Sequence, residues 1–169
     1  MAAKAKTTIV TEAACGVGAG ITKAFVERGY NALANSLQIA QSGLEPSTSS
    51  AFVEGDVAKP STASSIVDAA VSKFGLLDGV INNSGIFFTM LFAEYTTADF
   101  ERSSCTNLPV YIYLTQLAVK KTLAQQIGGS VISITSAIVD HPVAGVNAPI
   151  LMIAKGALDA VPELSYGVM

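Results

Sequence analysis

The sequence has no tryptophan, a single histidine and only two cysteines among its 169 residues. Cys15 and Cys105 lie far apart and match no metal-ligand spacing, so we expect no metal site, no disulfide framework and a reducing cytoplasmic location. Lysine and arginine total ten, without a basic run, which argues against nucleic-acid binding. No apolar run reaches the ~20 residues of a membrane span, and the first ten residues lack the pattern of a signal peptide.

The composition favours a well-packed sheet. Half of the residues are hydrophobic, 14% are charged, and the net charge is -3. Strand-like and helix-like segments alternate without a repeat or a long linker, which predicts one α/β domain over residues 1–169 with helices on both faces of a parallel sheet. The predicted strands span residues 7–11, 32–36, 51–54, 77–81 and 131–135, and the predicted helices span 21–28, 61–74, 99–126 and 151–161.

Glycines and polar residues mark the ends of these segments. Gly29 and Gly75 follow predicted helices, as C-terminal capping residues do. Thr96 and Asp99 have the spacing of a capping box. Residues 16–20 are expected to form a glycine-rich turn, and residues 38–50 a polar connection with one turn of helix at most.

The segment IVTEAACGVGAGI joins the first strand to the first helix. Such a turn directs backbone N–H groups and a helix N-terminus at a pyrophosphate, and glycine permits close approach. The alternative interpretation is a tight turn without a ligand. The position between a strand and a helix favours nucleotide binding.

Further motifs follow in order. TEAACGVG over residues 11–18 is similar to a TGxxxGxG loop, Asp56-Val57 follows the third strand, and Asn82-Asn83-Ser84-Gly85 is similar to NNAG. Together with Asn107 in the long helix, these marks give the whole chain a resemblance to the short-chain dehydrogenase/reductase family. The resemblance implies a Rossmann-like, three-layer fold with strand order 3-2-1-4-5. It implies a cofactor, NADP or NAD, bound by Thr11, Gly16, Val17, Gly18, Ser36, Asp56, Val57, Asn82, Ser84, Gly85 and Lys155.

Two features bear on that cofactor. Residues 35–37 contain no acid to bind ribose hydroxyls, which gives NADP a slight preference over NAD, although no arginine stands ready for a 2′-phosphate. Glu12 replaces the first glycine of the family's loop. We expect Glu12 to adopt a backbone geometry that favours glycine and to repel a pyrophosphate.

The resemblance also implies a catalytic set. Ser136, Asn107 and Lys155 match the family's serine, asparagine and lysine, but Leu151 stands four residues before Lys155, where the family has its tyrosine. Leucine cannot transfer a proton.

Two other groups are candidates for that role. His141, beside Asp140, follows the fifth strand at the carboxyl ends of the strands, where ligands bind in such sheets, but the favoured interpretation is a solvated loop residue. Tyr111 follows Asn107 by one helical turn, and the alternative for it is a half-buried aromatic of an apolar helix.

Three hypotheses follow. The first is an oxidoreductase that converts a carbonyl or alcohol on a small apolar substrate, near Phe87, Phe88 and Phe92. The second is a cofactor-independent isomerase, cyclase or lyase that uses the same pocket. The third is an inactive binding or regulatory protein.

The resemblance further implies that the family's last strands, which would follow residue 169, are missing. The fifth strand would then be an open edge. We expect a homodimer or higher homo-oligomer through the helices at residues 99–126 and 151–161.

Overall fold

The computed structural model describes residues 4–39 and 45–161 and the backbone of 164–166. Within this part, one sheet has the strand order β3-β2-β1-β4-β5-β6. The first five strands are parallel, which confirms the order 3-2-1-4-5. The strands are β1 (Thr7–Val10), β2 (Asn31–Ser36), β3 (Ser50–Glu54), β4 (Gly79–Asn82), β5 (Gly129–Ser133) and β6 (Leu164–Tyr166).

Helices cover both faces of this sheet and complete the three layers. On one face, α2 (Pro60–Phe74) and α4 (Pro109–Ala124) enclose a core that includes Ile9, Ile66 and Leu114. On the other face, Phe25 of α1 (Gly16–Glu27) packs on a smaller cluster that includes Val10. No helix among the described residues is long and apolar enough to cross a membrane. The helices are α1 (Gly16–Glu27), α2 (Pro60–Phe74), α3 (Thr97–Asn107), α4 (Pro109–Ala124), α5 (Ala137–Asp140) and α6 (Pro149–Asp159), with a 3-10 turn at Phe92–Glu94.

The glycine-rich segment is helical, which corrects the expected turn at residues 16–20. Helix α1 begins at Gly16, and the turn after β1 occupies residues 11–15. Glycine has a low helix propensity. Close packing nevertheless requires it at position 18, because a Cβ on Gly18 would lie 2.2 Å from the Glu12 carbonyl oxygen. Gly29, with φ 82°, follows the end of this helix as predicted.

Two capping predictions are confirmed. Gly75 has φ 84°, and its N–H donates to the Val71 carbonyl at 2.7 Å. The Thr96 hydroxyl accepts the Asp99 N–H at 3.2 Å, and the Asp99 carboxylate accepts the Thr96 N–H at 3.0 Å. The remaining helix and strand ends differ from prediction by two residues or fewer, apart from the long helix. In the predicted polar connection, residues 40–44 lie outside the described residues.

The long helix predicted over residues 99–126 is two helices, so that prediction is wrong. α3 ends at Asn107, and α4 begins at Pro109. Proline has no N–H to donate to the carbonyl four residues earlier, which is that of Cys105, and its ring clashes there. Leu108 closes α3 by donating its N–H to the Ser104 carbonyl at 3.1 Å.

The prediction that β5 is an open edge strand is also wrong for part of the length of that strand. Strand β6 pairs antiparallel with Gly129, Ser130 and Val131, so the sheet has a sixth strand beyond the five expected. An unpaired strand edge presents N–H and C=O groups that another segment can satisfy, and here the chain itself returns to do so.

Candidate functional site

The turn after β1 is tied to the segment after β4 by Thr11. Its hydroxyl accepts the N–H groups of Asn83 and Ser84, both at 3.0 Å. The Asn83 side-chain amide donates to the Thr11 carbonyl at 3.1 Å. The carboxyl ends of neighbouring strands β1 and β4 are therefore held together at one edge of the sheet, where ligands bind in parallel α/β folds.

Glu12 has the backbone conformation expected of it. Its φ is 53°, in the left-handed region that costs an L-residue about 1–2 kcal/mol. Its side chain crosses to the segment after β4, where Oε2 accepts the Gly85 N–H at 2.9 Å. The glutamate therefore bridges the two segments with its carboxylate.

A cleft of about 390 Å³ opens beside this bridge at the carboxyl ends of the strands, and we name it the carboxyl-edge cleft. Five predicted cofactor residues line it: Ser36, Asp56, Val57, Ser84 and Gly85. The other described lining residues are Glu12, Ala14, Cys15, Asn35, Leu37, Gln38, Gly55, Ile86 and Thr106.

A larger groove of about 600 Å³ lies at the opposite edge of the sheet. It contains none of the predicted site residues, and its acidic member Asp78 accepts the Thr7 N–H at 2.8 Å. Ligands of parallel α/β sheets bind at the carboxyl ends of the strands. The smaller carboxyl-edge cleft is therefore the better candidate site.

Sequence reasoning missed Asn35, the buried residue just before the last position of β2. Its side-chain amide donates to the carbonyls of Val53 and Gly55, at 3.0 and 3.1 Å. The contacts fix the end of β2 against the turn after β3, and so shape one wall of the cleft. The signal available in the sequence was a polar residue at the end of an apolar strand.

Five predicted cofactor residues besides Lys155 do not line the cleft. Gly16, Val17 and Gly18 form the first turn of α1, and Thr11 holds the turn before it. Asn82 is 3% exposed and donates from its side-chain amide to the Thr115 hydroxyl at 3.3 Å. The Asn82 side chain therefore links β4 to α4.

Asn107 and Lys155 both approach Gly85 on the side where a Cβ would lie. A Cβ on Gly85 would be 2.7 Å from Asn107 Oδ1 and 3.0 Å from Lys155 Nζ. Asn107 Oδ1 accepts the Ile86 N–H at 3.2 Å, and its amide donates to the Ser103 carbonyl at 2.9 Å. Asn107 therefore holds the segment after β4 against α3.

Lys155 is buried, and its ammonium donates to the carbonyls of Ile134 and Ser84, at 2.9 and 3.3 Å. Burial lowers the pKa of this ammonium, and the charge of the Glu12 carboxylate partly opposes the shift. Glu12, Gly85, Asn107 and Lys155 thus form one cluster at the inner end of the cleft.

Among the described residues, no hydrogen bond joins Ser136 or His141 to this cluster. Ser136 precedes α5 in an extended conformation, and its side chain does not cap that helix. His141 follows α5 and is exposed. Leu151 is 7% exposed within α6, on the same buried side as Ala154 and Lys155. The predicted tyrosine position is therefore filled by a packed apolar side chain.

Tyr111 does not share one continuous helix with Asn107, because the break at Pro109 separates them. It packs against the main core and lines a different cavity of about 300 Å³ with Thr135 and Asp159. Burial raises the pKa of its phenol. These observations favour the half-buried aromatic interpretation.

The aromatic residues after Gly85 differ in their surroundings. Phe87 and Phe92 are 59% and 73% exposed. Phe88 contacts the ring of Tyr95, with centroids 5.8 Å apart, and the guanidinium of Arg102 at 5.6 Å. None of these three phenylalanines is among the described lining residues of the carboxyl-edge cleft, which on this segment end at Ile86.

Five parallel strands, a glycine-rich first turn in the helix after β1 and a cleft at the carboxyl ends of the strands are typical of the class of dinucleotide-binding α/β domains. The sequence model of the family described as short chain dehydrogenase matches residues 6–149. The chain belongs to the short-chain dehydrogenase/reductase family.

Individual relatives agree with this assignment. The chain is 33% identical over 165 residues to an uncharacterized oxidoreductase of Methylorubrum extorquens, covering 92% of this chain and 64% of that protein. It is 31% identical over 138 residues to 3beta-hydroxysteroid dehydrogenase 2 of Eggerthella lenta, covering 78% and 53%. The ligand-free structure of Thermoplasma acidophilum aldohexose dehydrogenase has a TM-score of 0.80 at 23% identity, covering 93% and 58%, and supports the fold. The chain thus spans less than two thirds of the length of each.

Proposed function

We propose that this chain is an oxidoreductase-type member of its family that binds the adenosine end of NADP or NAD in the carboxyl-edge cleft. The observation that carries the proposal is the cleft itself, where Asp56, Ser84 and Gly85 meet at the ends of the parallel strands. Ser36 and Leu37 also line it. Since neither is acidic, the end of β2 itself places no carboxylate against a 2′-phosphate, which favours NADP slightly.

The residues present fit one end of this cofactor and not the other. The Ser36 hydroxyl and the apolar side chains of Val57 and Ile86 line the same cleft, a mixture suited to a nucleoside. At the turn after β1, the Glu12 carboxylate already takes the Gly85 N–H. A pyrophosphate would meet a negative charge there. The turn after β1 therefore does not fit the pyrophosphate, and no hydride-transfer step is proposed.

The proposed reaction is conversion between a carbonyl and an alcohol on a small apolar substrate. Ser136 is half-buried at the carboxyl side of β5, and its hydroxyl is chemically able to donate to a carbonyl oxygen. Leu151 supplies no proton. We therefore expect slow turnover, because general acid–base catalysis typically contributes about 10²–10⁴-fold.

The test is a titration of NADPH and NADH into the protein by calorimetry, with fluorescence of the reduced nicotinamide as a second signal. Saturable binding of either cofactor supports the proposal. An absence of binding at millimolar concentration for both would remove it. Asp56→Asn is the site variant, and Asp68→Asn, in α2 and away from the cleft, is its matched control.

A second candidate function is cofactor-independent acid–base chemistry such as isomerisation, cyclisation or elimination. It is favoured by Leu151 and by the placement of the Glu12 carboxylate, which both oppose hydride chemistry. Ser136 and His141 are the groups available for it. Ser136→Ala and His141→Ala should each reduce turnover of a candidate substrate, whereas Ser64→Ala on the exposed side of α2 should not. Unchanged turnover in both site variants would show that Ser136 and His141 are not the catalytic groups, whereas an absence of turnover in the unmodified chain would leave the inactive binding protein as the better hypothesis.

We also propose that the chain self-associates through α3, α4 and α6. Each of these helices carries a large exposed apolar residue, namely Phe100, Ile112 and Ile153, which are 50%, 48% and 59% exposed. Exposed apolar surface on neighbouring helices favours association. Light scattering at micromolar concentration should give at least a dimer mass, and Ile112→Glu should lower it. A monodisperse monomer of the unmodified chain would contradict the proposal.

A further inference from the structure

The carboxyl-edge cleft is acidic. Its described lining residues include two carboxylates, Glu12 and Asp56, and no lysine, arginine or histidine. Lys155, near its inner end, directs its ammonium at the carbonyls of Ser84 and Ile134. Phosphate groups are normally bound by basic side chains or free backbone N–H groups. The charges around this cleft therefore oppose phosphate.

The backbone donor that faces the turn after β1 is also occupied. Gly85 N–H donates to Glu12 Oε2 at 2.9 Å. The Glu12 carboxylate is an anion of the chain itself. This hydrogen bond holds it near the turn where an incoming phosphate would approach. A phosphate would have to displace it or lie beside it.

The chain holds Glu12 in this position at an energetic cost. Its φ of 53° is one that glycine adopts freely and a glutamate does not. Strained conformations persist where the surroundings determine them, and they concentrate at functional sites. Here the surroundings are Gly18, packed on the Glu12 carbonyl, and the Asn83 amide, which donates to that carbonyl at 3.4 Å.

We propose that Glu12 is a specificity-determining residue, whose carboxylate makes the carboxyl-edge cleft bind uncharged nucleosides in preference to nucleotides that carry phosphate. This inference rests on the part of the proposed function that places a nucleoside in the cleft. It goes beyond that function because it names the ligand class that the cleft selects. The Ser36 hydroxyl and the apolar side chains of Leu37 and Ile86 line the same cleft and remain available to a nucleoside, whose 5′ end would face the acidic turn.

The test compares adenosine with adenosine 5′-diphosphate, which share one nucleoside and differ in phosphate. Dissociation constants are measured by calorimetry for the unmodified chain, Glu12→Gln and Glu12→Gly. Glutamine keeps the acceptor for Gly85 and removes the charge, and glycine removes both together with the positive-φ strain. We expect Glu12→Gln to bind the diphosphate about tenfold more tightly, and adenosine with little change. The diphosphate gain should shrink as salt is raised.

Glu27→Gln is the matched control, because it removes the same charge at the far end of α1, about 18 Å along a helix of this length. It should leave both constants unchanged. Circular dichroism establishes that each variant is folded. If Glu12→Gln and Glu12→Gly both bind the diphosphate no better than the unmodified chain, Glu12 does not set the specificity. In that case, measurable binding of NADPH would still support the proposed function. If adenosine, the diphosphate and NADPH bind to none of the folded variants, the cleft is not a nucleoside site and both proposals are wrong.

Discussion

Two glycines of α1, Gly18 and Gly20, lie two residues apart and differ in what a methyl group would meet. A Cβ on Gly18 would be 2.2 Å from the Glu12 carbonyl oxygen and 2.7 Å from the Asn83 side-chain nitrogen. A Cβ on Gly20 would meet nothing within 4 Å. We therefore predict opposite effects of Gly18→Ala and Gly20→Ala on stability.

The magnitudes follow from these surroundings. Gly20 is exposed within the helix, so alanine should raise the free energy of unfolding by about 0.5–1 kcal/mol. At Gly18 the clash is with backbone, and the turn cannot move without straining the hydrogen bonds of Thr11 to Asn83 and Ser84. Overpacking costs about 1–3 kcal/mol, and it outweighs the gain in helix propensity. Because the gain in helix propensity is common to both, the two variants should differ by the cost of overpacking, roughly 1–3 kcal/mol.

Urea denaturation followed by circular dichroism measures this difference directly. Both variants have the same composition, so their m-values should agree and only the midpoints should separate. In thermal unfolding, each kcal/mol corresponds to about 2–4 °C for a chain of this size. If both midpoints move in the same direction by the same amount, the close approach of Gly18 to Glu12 is not present in solution.

Three further predictions concern Glu12, Leu151 and Lys155. Glu12→Ala should be less stable than Glu12→Gly by about 1 kcal/mol in urea denaturation, because alanine keeps the strain at φ 53°; equal stabilities would refute that strain. On a Glu12→Gly background, Leu151→Tyr should give NADPH-dependent carbonyl reduction that Leu151→Phe, with the same ring and no hydroxyl, does not give; equal rates would contradict the assignment of position 151. Burial lowers the pKa of the Lys155 ammonium below 10.5. In the alkaline range just below 10.5, the folded chain has therefore lost a proton that the unfolded chain still keeps. The free energy of unfolding should rise with pH in that range. Lys155→Met should abolish that rise, and its persistence in the variant would assign it to another group.

Local patterns predicted a large part of the fold. The apolar spacing of Ile66, Ala70 and Phe74 identified α2, and Gly75 marked its end because few other residues adopt positive φ easily. The resemblance of its motifs supplied the strand order. Each of these features depends on residues close together in sequence, or on a motif that is itself short.

The errors have different causes. Pro109 was visible in the sequence, but a continuous apolar helix pattern on both sides of it outweighed a single residue. Strand β6 pairs with β5 across more than thirty residues of chain, and no periodicity in a three-residue strand reveals its partner. The hydrogen bonds of Asn107 to Ile86 and of Lys155 to Ser84 join residues 21 and 71 positions apart.

These long-range contacts change the meaning of Glu12 and Leu151, the two departures from the family's motifs that the sequence did reveal. From the motif alone, Glu12 is a charge that repels phosphate. In the fold, its carboxylate also occupies the Gly85 N–H, so the turn after β1 loses a donor as well as gaining a charge. Leu151 acts elsewhere, on the proton that a carbonyl reduction would need. Because one departure bears on binding and the other on proton transfer, restoring either residue by itself leaves the other step unsupported, and measured binding and measured turnover need not change together.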